Sequence, residues 1–100
     1  MLVTTTIDGT KATMVIEGRL TVTTSPELEA EVAKLPESVV DVVMDLADLE
    51  YISSAGLRVL VGTQKLASKR GGALTLVHPV DEVYDIFEMT GLTEIFSFER

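Results

Sequence analysis

Cysteine is absent from this 100-residue chain, which excludes disulfides and thiolate metal sites and fits the cytosol. Basic residues are scarce, 8 against 16 acidic, for a formal charge of −8. Such a chain is ill suited to nonspecific nucleic-acid binding, which needs cations to displace counterions, and to docking on an anionic membrane. The excess charge reads first as a soluble surface, with a basic protein partner allowed. No window approaches the ~20 apolar residues needed to span a bilayer. The opening Met1-Leu2-Val3-Thr4-Thr5-Thr6 lacks the basic region and apolar run of a secretory signal. The expected location is therefore cytoplasmic, without direct membrane insertion.

Catalytic constellations are also missing. His78 is the only histidine, and with no second ligand-type cluster near it no metal site is expected. A serine hydrolase would need a serine paired with a histidine and an acid, yet no Gly-x-Ser-x-Gly elbow surrounds either candidate serine. Gly71-Gly72 lacks the spacing of a phosphate-binding loop. We expect no enzyme activity, no cofactor and no metal.

What is present is a core. Hydrophobic residues make up 46% of the chain, enough for one small domain and too many for disorder. Leu2 to Ile7 reads as a strand, Asp8-Gly9 as a hairpin turn, and Lys11 to Ile16 as a second strand. Thr24-Ser25-Pro26-Glu27 marks a helix start. Either Thr24 caps it with Glu27 reaching back, or Ser25 caps it with Pro26 at the first helical position. Leu28, Val32 and Leu35 share one face, and Pro36 ends the helix. Val39 to Leu46 is nearly continuous in apolar residues, the pattern of a strand covered on both faces. A short acidic turn follows, then a helix from about Ala55 to Arg70, closed by Gly71-Gly72. Ala73 to Val77 is a buried strand, Asp81 to Thr90 a third helix stopped by Gly91, and Glu94 to Phe98 an edge strand. The alternation predicts an α/β fold. Its sheet is mixed but mostly parallel, of about five strands, with helices packed on it. No repeat, low-complexity segment or linker interrupts it.

The chemistry concentrates at Ser53 and Ser54, before the second helix. A serine here can be a plain helix cap. It also stands at the positive end of a helix dipole, where a phosphate is well received. Arg58, four residues after Ser54, lies on the same helix face and can pair with that phosphate. Asp45, Asp48 and Glu50 are close in sequence and would repel it. Gly56 permits close packing at some cost in helix stability.

The run Tyr51-Ile52-Ser53-Ser54-Ala55-Gly56-Leu57 resembles the signature of STAS domains, the family of bacterial anti-sigma factor antagonists. The likeness extends from Gly18-Arg19-Leu20 to Gly91-Leu92-Thr93-Glu94-Ile95-Phe96, so residues 1–100 are expected to be one STAS domain. Two positions depart from the family pattern: Ser53 stands where many members have Asp, and Thr21 where many have an acidic residue. The last helix usual in the family is expected to be missing, the sequence stopping at Arg100.

The resemblance implies a bacterial protein that switches partners. Unphosphorylated, it would bind an anti-sigma factor, an ATP-binding serine kinase, and so free a sigma factor. Phosphorylation of Ser54, with Ser53 as the alternative acceptor, would end binding, and a phosphatase would reset it. ATP and magnesium would belong to the kinase. The implied contact residues are Thr21, Thr24, Ser53, Ser54, Ala55, Gly56, Leu57 and Arg58. STAS domains also serve as subunits that dock on lipid or anion transporters without phosphorylation, and that is the alternative.

Overall fold

The computed structural model describes residues 1–100. In chain order the elements are β1 (Leu2–Asp8), β2 (Lys11–Leu20), α1 (Ser25–Ala33), β3 (Asp41–Asp45), β4 (Leu49–Ile52), α2 (Ser54–Lys69), β5 (Leu74–Val77), α3 (Asp81–Met89), a 3-10 turn (Leu92–Glu94) and β6 (Ser97–Glu99). The main sheet runs β1-β2-β3-β5-β6, antiparallel only between β1 and β2, and β4 pairs separately with β2. The expected mixed, mostly parallel α/β sheet is therefore the fold, with β6 at its edge. No helix is long and apolar enough to cross a membrane.

Each crossover, from β2 to β3, β3 to β5 and β5 to β6, steps one strand in the same direction. Right-handed connections that advance one way put their helices on one side of a sheet. The burial pattern agrees. Ala12, Met14 and Ile16 of β2, Val42 and Met44 of β3, and Leu74 and Leu76 of β5 are buried, in one cluster with Leu28, Val32, Leu57, Leu60, Val83 and Phe87 of the helices. The alternate residues Thr13, Val15, Val43 and Thr75 are only half-buried. This corrects the expectation that the Val39 to Leu46 strand is covered on both faces. Val39 and Leu46 are buried, but they lie beyond the ends of β3. Within it Val43 lies on the face that carries no helix, flanked by Thr13 and Thr75.

Three further expectations change. The acidic stretch after β3, expected as a turn, contains a strand, β4. At ten residues β2 outruns the five-residue β3. Its final Gly18–Leu20 stretch, where the register shifts, takes β4 as a parallel partner, so Gly18-Arg19-Leu20 continues the strand. The capping box of α1 does not form: Thr24 is the cap residue, but its side chain bonds no helix amide. The last strand is shorter than Glu94 to Phe98, because the 3-10 turn consumes its beginning. Phe87, Phe96 and Phe98 meet edge to face, with Tyr84 against Phe98, and so fasten this short edge strand to α3.

The far end of α2 is clamped. Gly71 takes the left-handed conformation (φ 87°) just after the helix, and the Gly72 amide donates to the Ala67 carbonyl at 2.8 Å. Arg70 donates through Nη1 to the carbonyls of Pro36 and Val39, both at 2.9 Å. Arg70 thus holds the α1–β3 loop. Replacing Arg70 by Ala is expected to lower unfolding free energy by about 1–3 kcal/mol, the range for hydrogen bonds to a charged group. Urea denaturation checks this. A midpoint equal to that of the wild type would show that the clamp contributes nothing.

Candidate functional site

The two serines have different jobs because α2 begins between them. Ser53 is the N-cap, in extended conformation (φ −92°, ψ 172°), and its side-chain oxygen accepts from the Gly56 amide at 3.2 Å. Its own amide donates to the Leu20 carbonyl at 2.8 Å, and its carbonyl accepts from Leu57. Ser53 is half-buried, whereas Ser54, the first helical residue, is exposed. The first-turn amides of a helix have no partner within it, so an anion on Ser54 would meet a favourable dipole. Arg58, one turn on, is exposed and takes part in neither of the ion pairs, which join Lys34 to Glu31 and Arg100 to Asp81, nor in the contact of His78 with Asp45.

The loop between β2 and α1 lies against this turn. Leu20 pairs with Ile52 across the parallel β2–β4 ladder. Gly56 sits on both side chains: an added Cβ would lie 2.7 Å from Leu20 Cγ and 2.9 Å from Ile52 Cγ1. Glycine is thus required here for contact inside the protein. Gly56 and Leu57 are both buried, so they support the surface and do not form it. Ala55 is half-buried.

Thr21 and Thr24 are turned inward by hydrogen bonds. The Thr21 amide donates to Thr24 Oγ1 at 2.8 Å, and Thr24 Oγ1 donates to the Arg19 carbonyl at 2.8 Å. The amides of Thr23 and Thr24 donate to Thr21 Oγ1 at 3.2 and 3.3 Å. The Ser25 amide closes the turn on the Thr21 carbonyl at 2.8 Å. Both threonines shape the loop, and Val22 between them is left 74% exposed. Sequence reasoning passed over Val22, although one signal was available. The segments 20–26 and 51–57 carry no charged residue, in a chain that is 24% charged.

The nearby carboxylates are drawn elsewhere. Asp45 accepts from the Ala47 amide and lies 3.5 Å from His78 Nδ1. Asp48 and Glu50 line an open cleft of about 530 Å³ with Ala47, Leu49, Val80 and Glu82, and neither serine borders it. No three histidine, aspartate or glutamate side chains converge as metal ligands. His78 faces Asp45 from an exposed loop position. The site offers hydroxyls, free amides and one unpaired guanidinium, which suit it to receiving an anion and to contact with another protein.

The family model for the STAS domain matches residues 1–100. The anti-sigma-B factor antagonist of Bacillus subtilis is 36% identical over 82 residues, covering 82% of this chain and 75% of that protein. The anti-sigma-B factor antagonist of Listeria monocytogenes is 31% identical over 87 residues, covering 85% and 75%. Among solved structures, the Bacillus anti-sigma factor antagonist SpoIIAA superposes with a TM-score of 0.82 in its unphosphorylated form, at 14% identity, covering 99% of this chain and 89% of that one. Its phosphorylated form gives 0.76 at the same identity, covering 99% and 92%. At that identity the likeness is one of fold.

The division of labour between the serines can be measured. Ser53→Ala removes a cap and should lower unfolding free energy by about 0.5–2 kcal/mol. Ser54→Ala, at an exposed position, should stay within about 0.5 kcal/mol of the wild type. Equal losses in urea denaturation would refute the assignment. Gly56→Ala overfills the contact with Leu20 and Ile52, which typically costs about 1–3 kcal/mol. The gain in helix propensity, about 1 kcal/mol, should not cancel that cost.

Proposed function

The chain belongs to the STAS domain family, and we propose that it acts as an anti-sigma factor antagonist controlled by phosphorylation of Ser54. In this reading residues 1–100 form one STAS domain, working in the cytoplasm without catalysis of its own. The unphosphorylated protein binds an anti-sigma factor, an ATP-binding serine kinase, which then releases its sigma factor. The kinase phosphorylates Ser54 and the complex separates. A phosphatase restores the binding form. The curated relatives named above are antagonists, which favours this reading over docking on a transporter.

The observation that carries the proposal is the contrast at the start of α2. Ser53 is engaged as the cap, while Ser54 is exposed beside it, one turn from an unpaired Arg58. A phosphate brings about −1.5 to −2 charges and three acceptor oxygens. At a helix N-terminus with a nearby arginine it is well placed, so α2 should stay folded. The change is felt by the partner, which meets charge and bulk where an uncharged surface had been. Ser53 is the less suitable acceptor, because its oxygen already serves the Gly56 amide. Thr21 and Thr24 are then placed to hold the contact loop in shape, whereas Arg58 is placed to answer the phosphate.

Intact-mass measurement and peptide mapping of protein from its native cells, with phosphatase treatment as control, test the proposal. We expect a single phosphate on Ser54. We also expect Ser54→Asp to weaken binding to the kinase roughly tenfold or more, since charge at the centre of an interface is poorly tolerated. Thermal stability of Ser54→Asp should equal or slightly exceed that of the wild type, an acidic group in the first turn contributing about 0.3–1 kcal/mol. Phosphate on neither serine under growth and stress conditions, with Ser54→Asp binding as the wild type does, would sink the switch.

A further inference from the structure

Resting on the proposed antagonist function, we propose that Val22 is the apolar anchor of the contact surface. In this proposal it inserts into an uncharged hydrophobic recess of the anti-sigma factor, and burial rather than ion pairing carries the affinity. Three observations lead there. Val22 is 74% exposed, whereas Leu20, Ile52 and Leu57 beside the serines are buried. Its loop is closed by bonds to Thr21 Oγ1, Thr24 Oγ1 and the Arg19 and Thr21 carbonyls. It is tied to α2 by the Ser53 amide on the Leu20 carbonyl. A side chain presented on a backbone already ordered loses little freedom on binding.

The third observation is charge. The segments 20–26 and 51–57, joined through Leu20 and Ile52, are free of charged residues in a chain of net charge −8. They are bordered by Arg19, Glu27, Glu50 and Arg58. A charge-depleted centre within a polar rim is the composition of an interface core. Tyr51 adds a partly exposed aromatic ring, held under the Arg19 guanidinium at 4.7 Å. A partner complementary to this surface presents an apolar recess rather than a basic patch opposite Val22. The same feature sharpens the switch, because a phosphate on Ser54 would introduce charge beside a surface that has none.

The test uses the full chain and each purified anti-sigma factor kinase encoded in the same genome, with binding measured by calorimetry. Val22→Asp and Val22→Lys should each weaken binding roughly thirtyfold or more, and Val22→Ala several-fold, as expected for an anchor at an interface centre. Thermal unfolding of all three should match the wild type. Affinity should change less than about threefold between 0.05 and 0.5 M salt, since burial is not screened. Ser54→Asp serves as the control for the underlying function. Loss with Ser54→Asp but not with the Val22 variants overturns the anchor and leaves the switch standing. Opposite effects of Val22→Asp and Val22→Lys, or a steep fall with salt, overturn the apolar recess in favour of charge pairing. Loss with all three Val22 variants, while Ser54→Asp binds normally, supports the anchor and removes the switch. No binding of the wild type to any of these kinases overturns both.

Discussion

The functional end of this protein hangs from one main-chain contact, the pairing of Leu20 with Ile52 at the end of the β2–β4 ladder. Through it the loop after β2 and the start of α2, more than thirty residues apart in sequence, become one surface. The Ser53 amide reaches the Leu20 carbonyl, and Gly56 sits on both side chains. Main-chain bonds, buried aliphatic side chains and a required glycine reinforce one another. Movement of either loop would have to break several of them together. The contact exists because β2 is twice the length of β3 and needs a second partner for its last residues.

The sheet architecture completes the arrangement. Three crossovers advancing in one direction place every helix on one face. The strands run parallel from β2 onward, so α1 and α2 both start at the same end of the sheet; the first amides of α1 are taken up by the Thr21 and Thr24 carbonyls, which leaves the start of α2 as the open one. On the proposed reading, that start would receive the phosphate. Nothing at the site pairs a serine with a base: the single histidine faces Asp45, and the carboxylates that follow β3 line a cleft beside α3.

Charge placement explains why a single phosphate could act as a switch in a protein already so acidic. Added to a surface crowded with carboxylates, one more anion would alter little. The uncharged segments around Ser54 are where it would change most, and the unpaired Arg58 could hold it without disturbing the helix. On the proposed reading, a surface centred on an exposed valine and a serine hydroxyl would bind by excluding water. Such a surface is sensitive to a charge that must stay solvated.

Much of this was legible in the residues. Element order, the mixed sheet and the start of α2 follow from hydrophobic period, Pro26, Gly71 and the paired serines, because each acts through neighbours a few positions away. The strand β4 was not legible: Leu49-Glu50-Tyr51-Ile52 has no strong period and is a strand only because β2 outruns β3. Nor could Val39 to Leu46 reveal that one face of the sheet is bare, since that depends on the direction of three crossovers. At the site, the sequence alone determined that two hydroxyls precede an amphipathic helix, with an arginine one turn on and no charge between Tyr51 and Leu57. Only the tertiary structure decided which serine caps and which is free. It alone turned Thr21 and Thr24 inward, left Val22 outside and buried Gly56. The reason is that capping geometry and exposure depend on which distant segment packs against a turn, and here that segment is Leu20, on a strand that closes well before the helix begins.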